Sequence, residues 1–189
     1  MLPVGWLVVA VVLAVLLSMW ITFTLTRLDR LHARVDAAWA ALDAQLVRRA
    51  AALQHVAESP DSGVRPDLRG PCDQAAQAAL GVQDAAERQA AENAVGHMIT
   101  RLAAVAEPLH AEAEAELREG AARVQVARRF YNDAVRDTRN LRSRRMPRLL
   151  RLAGRRVMPP FFDIDDSVTM PVRPARPMSQ PEFPAGDPI

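Results

Sequence analysis

The first 26 residues carry no charged side chain, and that feature constrains the chain more than any other. A helix over Leu2 to Leu25 rises about 36 Å at roughly 1.5 Å per residue, enough to cross a hydrocarbon layer of about 30 Å with some tilt. Trp6 lies near one end of the run, and Trp20 with Phe23 near the other, where aromatic rings settle at membrane interfaces. A cleavable signal peptide is the competing reading. It would open on a basic stretch, hold a shorter apolar core and close on small residues; Leu17-Ser18-Met19-Trp20 makes no such closing site. The expectation is a retained anchor over residues 1–26, with the lipid bilayer as its partner. Only the α-amino group precedes the run, and Arg27, Arg30 and Arg34 follow it. The positive-inside rule then expects a cell membrane crossed once, with the N-terminus outside and the remaining chain cytoplasmic.

Beyond the anchor the chain reads as all-α. Leu28, Leu31, Val35, Trp39, Leu42, Leu46, Ala50 and Leu53 recur at a mean step of about 3.6 residues, a helix period. The anchor helix is therefore expected to run on to about Ala57, until Glu58-Ser59-Pro60-Asp61-Ser62-Gly63 stops it. A loop to Pro71 follows, then a second long helix capped by Asp73, with a face of Val95, Ile99, Leu102 and Val105, ending near Pro108. The third carries Leu117, Val124, Tyr131, Val135 and Leu141, acids in its first turns and Arg in its last, which complements the helix dipole. Pro147 ends it, and Arg148 to Val157 reads as a short fourth helix. The expected fold is an antiparallel up-and-down bundle of three long helices and one short one over residues 27–158. Eight of the 14 prolines fall between Pro159 and Pro188, so residues 159–189 read as a disordered tail.

Charge is distributed unevenly. All 24 basic residues are Arg, which suits bidentate recognition of carboxylate or phosphate but also follows from the same bias that enriches Ala and Pro. Residues 84–119 hold a net charge of −5 and residues 123–156 a net of +10. The basic stretch is a candidate surface for a polyanion or a partner protein, centred on Arg139, Arg142, Arg144, Arg145, Arg148 and Arg151; the plainer reading is partial pairing with the acidic helix. In a three-helix alternation the third helix points away from the membrane, leaving its Arg-rich end some tens of Å from the bilayer and beyond a Debye length of roughly 8–10 Å. That geometry favours a soluble or protein partner over lipid; nucleic acid is possible and not favoured.

The motifs of common chemistry are missing. There is no G-x-S-x-G, phosphate-cradling Gly loop, H-E-x-x-H or paired-Cys spacing, and the lone Cys72 has no His and Asn set around it. Glu107-Pro108-Leu109-His110 is a single interrupted copy of a spacing that di-iron bundles use twice. No metal, no cofactor, no small-molecule substrate and no catalytic role are expected.

Three segments in order carry a family likeness. After the apolar run comes Val35-Asp36-Ala37-Ala38-Trp39-Ala40-Ala41-Leu42-Asp43-Ala44-Gln45-Leu46-Val47-Arg48-Arg49; later Glu92-Asn93 and Arg101-Leu102-Ala103-Ala104-Val105-Ala106-Glu107; then Ala127-Arg128-Arg129-Phe130-Tyr131-Asn132-Asp133-Ala134-Val135, with Pro147 and Phe161-Phe162 beyond. This order resembles the LemA family of membrane-anchored helical bundles over roughly residues 1–165, in a divergent form shortened between Pro108 and Arg128. The resemblance implies an N-out anchor, a cytoplasmic four-helix bundle and no established catalytic residues. It implies that Arg48, Arg49, Glu107, Arg128, Tyr131, Asn132 and Pro147 occupy motif positions, which fit a structural role: a buried Arg–Glu pair and a Tyr hydroxyl bonded within the bundle. The functional expectation is a membrane-tethered interaction module without catalysis.

Overall fold

The structure, a computed structural model, describes residues 4–82, 85–105, 109–143 and 158–165. The described elements are all helical: α1 (Val4–Glu58), a 3-10 turn (Pro60–Ser62), α2 (Pro66–Gly81), α3 (Ala85–Ala104) and α4 (Ala111–Ser143). The fold class is all-α, as the periodicity dictates.

The first third of α1 stands apart from the bundle. It contains an 18-residue window of mean hydropathy 2.6, none of it buried, long and apolar enough to cross a membrane. Without a break the same helix becomes the spine of the bundle, where Leu42, Leu46 and Leu53 are fully buried. The expected stop holds: Pro60 opens the 3-10 turn, and Gly63, at a φ of 76°, supplies the left-handed residue that turns the chain.

The second helix differs from expectation. It begins at Pro66 rather than after Pro71, and it is two helices. Pro66 sits in the first turn, where its missing N–H costs nothing, whereas Pro71 lies inside α2 and forfeits a backbone bond. The burial of Leu68, Cys72, Ala76 and Ala79 on one face of α2 outweighs that loss. Gly81 then closes α2 and Val82 is extended.

That break reverses the course of everything after it. α2 returns along α1, α3 runs parallel to α1, and α4 returns again. The pairs His55–Glu116 and Arg34–Asp137, both 3.1 Å apart, fix α4 antiparallel to α1. The C-terminal end of α4 therefore comes back to the end of the charge-free run instead of pointing away from it. Ser143 lies six residues beyond Asp137, level with α1 about six residues before Arg34. Leu141 and Leu28 are both buried at this end.

Two apolar clusters fill the bundle. One, farther from the charge-free run, joins Leu53, Val56, Cys72, Val95, Ile99 and Leu117. The nearer one joins Val35, Leu42, Val124, Tyr131, Phe162 and Ile164, with Trp39 packed against it. The last two residues belong to the segment expected to begin a disordered tail. Residues 158–165 are instead docked on the bundle, because Phe162 and Ile164 find an apolar site between α1 and α4. Residues 166–189, and the short helix expected over Arg148 to Val157, lie outside the described residues.

Candidate partner-binding site

The polar groups of the nearer cluster converge on a main chain. α4 presents Arg128, Tyr131, Asn132 and Arg139 at spacings of three, four and seven residues, which puts them on one helical face. Asn132 holds both polar groups of Phe162: its Nδ2 donates to the carbonyl and its Oδ1 accepts from the backbone N–H, each at 3.0 Å. The Tyr131 hydroxyl donates to the Pro160 carbonyl at 2.9 Å, and Arg139 donates to that of Pro159 at 2.9 Å. Arg128 donates to the Ile164 carbonyl at 3.2 Å and lies 3.6 Å from the Asp163 carboxylate. From α3, Gln89 donates to the Phe161 carbonyl, and Asn93 accepts from the Asp165 N–H at 2.9 Å.

Aromatic packing closes the floor. Trp39 meets Tyr131 at 5.3 Å and the edge of Phe162 at 5.7 Å between centroids, and the Arg139 guanidinium lies 4.4 Å over the Phe161 ring. Burial pushes the Tyr131 hydroxyl above its usual pKa against the opposing pull of Arg139.

A second polar group is buried between α1 and α3. Arg49 donates to the Glu92 carboxylate at 2.7 Å and to the Glu92 backbone carbonyl at 2.8 Å. Arg88 lies 3.5 Å from the same carboxylate and pairs with Asp43 at 2.6 Å. The Glu92 side chain has no exposed surface, and burial pushes its carboxyl up although Arg49 and Arg88 both pull it down.

The expected motif positions part company here. Arg49 is the buried member of the Arg48-Arg49 pair and Arg48 is exposed, because only position 49 faces α3. A buried Arg–Glu pair exists with Glu92 as its acid; Glu107 and Pro147 lie outside the described residues. Tyr131 does bond within the folded domain, through its hydroxyl. Of the basic candidates, Arg139 and Arg142 are half-buried on the last turns of α4, and Arg144, Arg145, Arg148 and Arg151 lie outside the described residues. Sequence reading missed Arg88 and Gln89, which carry no motif of their own, and quoted Asn93 in the family-like segment without a role. It also missed that Arg128, Tyr131 and Asn132 act on the chain beyond α4. The available signal was the alternation Phe162-Asp163-Ile164-Asp165, too short to register as a period of two.

Elsewhere, an open trough of about 680 Å³ runs between α1 and α4, lined by Ala38, Ala41, Val126 and Phe130. Cys72 is buried, which pushes its thiol up to about 11. Among the described residues no group of three or more His, Cys, Asp or Glu side chains is placed to hold a metal ion. No protein-family model, curated protein or solved structure matches the chain.

Proposed function

We propose that this chain is a LemA-like, single-pass membrane protein, N-terminus outside and bundle in the cytoplasm, that serves as a non-catalytic interaction module. The observation that carries the reading is the continuity of α1. An exposed apolar stretch passes directly into the bundle's spine, so whatever holds the first third of the helix holds the whole domain at a fixed height and tilt. A rigid stalk of this kind suits display of a protein-binding face more than turnover of a diffusing substrate. In-cell crosslinking with the membrane intact is expected to recover a specific protein partner; recovery of none overturns the interaction reading. A reporter fused after residue 189 is expected to be active in the cytoplasm, and activity on the other side overturns the orientation.

The antiparallel course of α4 favours a second reading. The described part of the basic stretch, α4 as far as Ser143, runs back toward the end of the charge-free run, so an anionic lipid headgroup is a nearer polyanion for Arg142 than a nucleic acid. Vesicles containing phosphatidylserine are expected to bind the basic segment in a salt-dependent way that weakens when Arg142, Arg144 and Arg145 are neutralised. Unchanged binding excludes it.

A further inference from the structure

The groove formed by α4, the start of α3 and Trp39 handles residues 158–165 as a receptor handles a ligand. Every hydrogen bond to the segment named above joins a helix side chain to the segment's main chain: the carbonyls of Pro159, Pro160, Phe161, Phe162 and Ile164 accept, and the N–H groups of Phe162 and Asp165 donate. Helices have no free main-chain edge to add a strand to, so the amides of Gln89, Asn93 and Asn132 and the guanidinium groups of Arg128 and Arg139 take that part. Side-chain selection follows the period of an extended chain: Phe162 and Ile164 go in, while Phe161, Asp163 and Asp165 stay out. Met158 and Pro159 each precede a proline, which biases them to extended backbone and lowers the entropy lost on docking.

We propose that this groove is a binding site for extended peptides, and that residues 158–165 are its resident, exchangeable ligand. The ligand class follows from the contacts. It is a peptide with an aromatic and an aliphatic side chain two residues apart, an acidic residue between them to meet Arg128, and proline just ahead. Only two side chains of the resident segment are buried, whereas the four helices hold one another through a cluster it does not enter. The proposal deepens the reading as an interaction module by naming the surface; that reading is decided by partner capture in membranes, and this one by peptide binding alone.

The test uses the full chain in detergent micelles and a fluorescent peptide with the sequence of residues 158–165. The resident copy competes at an effective concentration on the order of mM, so the wild-type chain binds added peptide weakly. The double variant Phe162→Ala/Ile164→Ala vacates the groove and is expected to bind the peptide at least about ten-fold more tightly. Adding Asn132→Ala to that variant, or replacing both apolar residues of the peptide with Ala, is expected to abolish the gain. Equal binding by wild-type and double variant overturns the proposal. So does a double variant that keeps its helical circular dichroism and cooperative melting and fails to bind. A double variant that loses its cooperative melting also overturns it, since the segment is then a part of the fold and not a ligand.

Discussion

The seam between α1 and α3 and the face of α4 around Tyr131 solve the same problem, buried polar groups, by different means. Between α1 and α3, Arg49 and Arg88 both meet the buried Glu92 carboxylate, and Arg88 also reaches Asp43 at the surface. On the α4 face, Arg128, Tyr131, Asn132 and Arg139 bond the main chain of the short segment 158–165. A network of buried charges loses much when a member is removed, because a desolvated charge is left behind. A network completed by a peptide opens to water instead, and its donors exchange one set of acceptors for another at modest net cost.

The largest break in that comparison comes from Glu92→Ala, which strands Arg49 and costs about 3–5 kcal/mol of folding stability by chemical denaturation. Cys72 reports the same event. Its thiol is buried with a pKa of about 11, so it resists alkylation at pH 8 in the wild-type chain and is expected to react much faster in Glu92→Ala. Asn132→Ala, in the other network, leaves that rate unchanged. Phe162→Ala is expected to cost about 2 kcal/mol, below the ~3–5 kcal/mol of a Phe→Ala change inside a closed core, because the segment detaches and no cavity is left.

A smaller effect concerns pH. Burial holds the Glu92 carboxyl above its ordinary 4.5, so the folded chain takes up this proton more readily than the unfolded one. The stability this group contributes is therefore full below pH 4.5 and is lost as pH rises through the raised value. Glu92→Gln, which keeps shape without titrating, flattens the dependence in a pH series of urea melts; an unchanged slope assigns it to other groups. The smallest effect belongs to the exposed pair between α1 and the last turns of α4: Asp137→Asn costs no more than about 0.5 kcal/mol, with Arg34 and Asp137 both over half exposed.

Much of the fold was legible in the residues. The uninterrupted passage of α1 from apolar run to core, its stop at Pro60 to Gly63 and the helical face of α4 all follow from periodicity and turn chemistry. The break after Gly81 did not, because a single Gly in an Ala-rich stretch does not distinguish a helix that weakens from one that ends. The error carried a long way, since one unrecognised break changes the number of helices by one and the direction of α4 by half a turn. Of the candidate site, Arg128, Tyr131 and Asn132 were visible as a motif. Their partners were not, because the partners are carbonyl oxygens and every residue has one.

Composition and spacing by themselves determined that this chain is helical, that its first 26 residues suit a membrane, and that its basic charge gathers late, since these depend only on side-chain hydrophobicity and a period of 3.6. Tertiary structure decided which Arg of the Arg48-Arg49 pair is buried, which acid meets it, where the basic end of α4 lies and what the Tyr131-Asn132 face holds. Those outcomes depend on direction and distance between segments tens of residues apart, set by how apolar faces pack and not by any local preference.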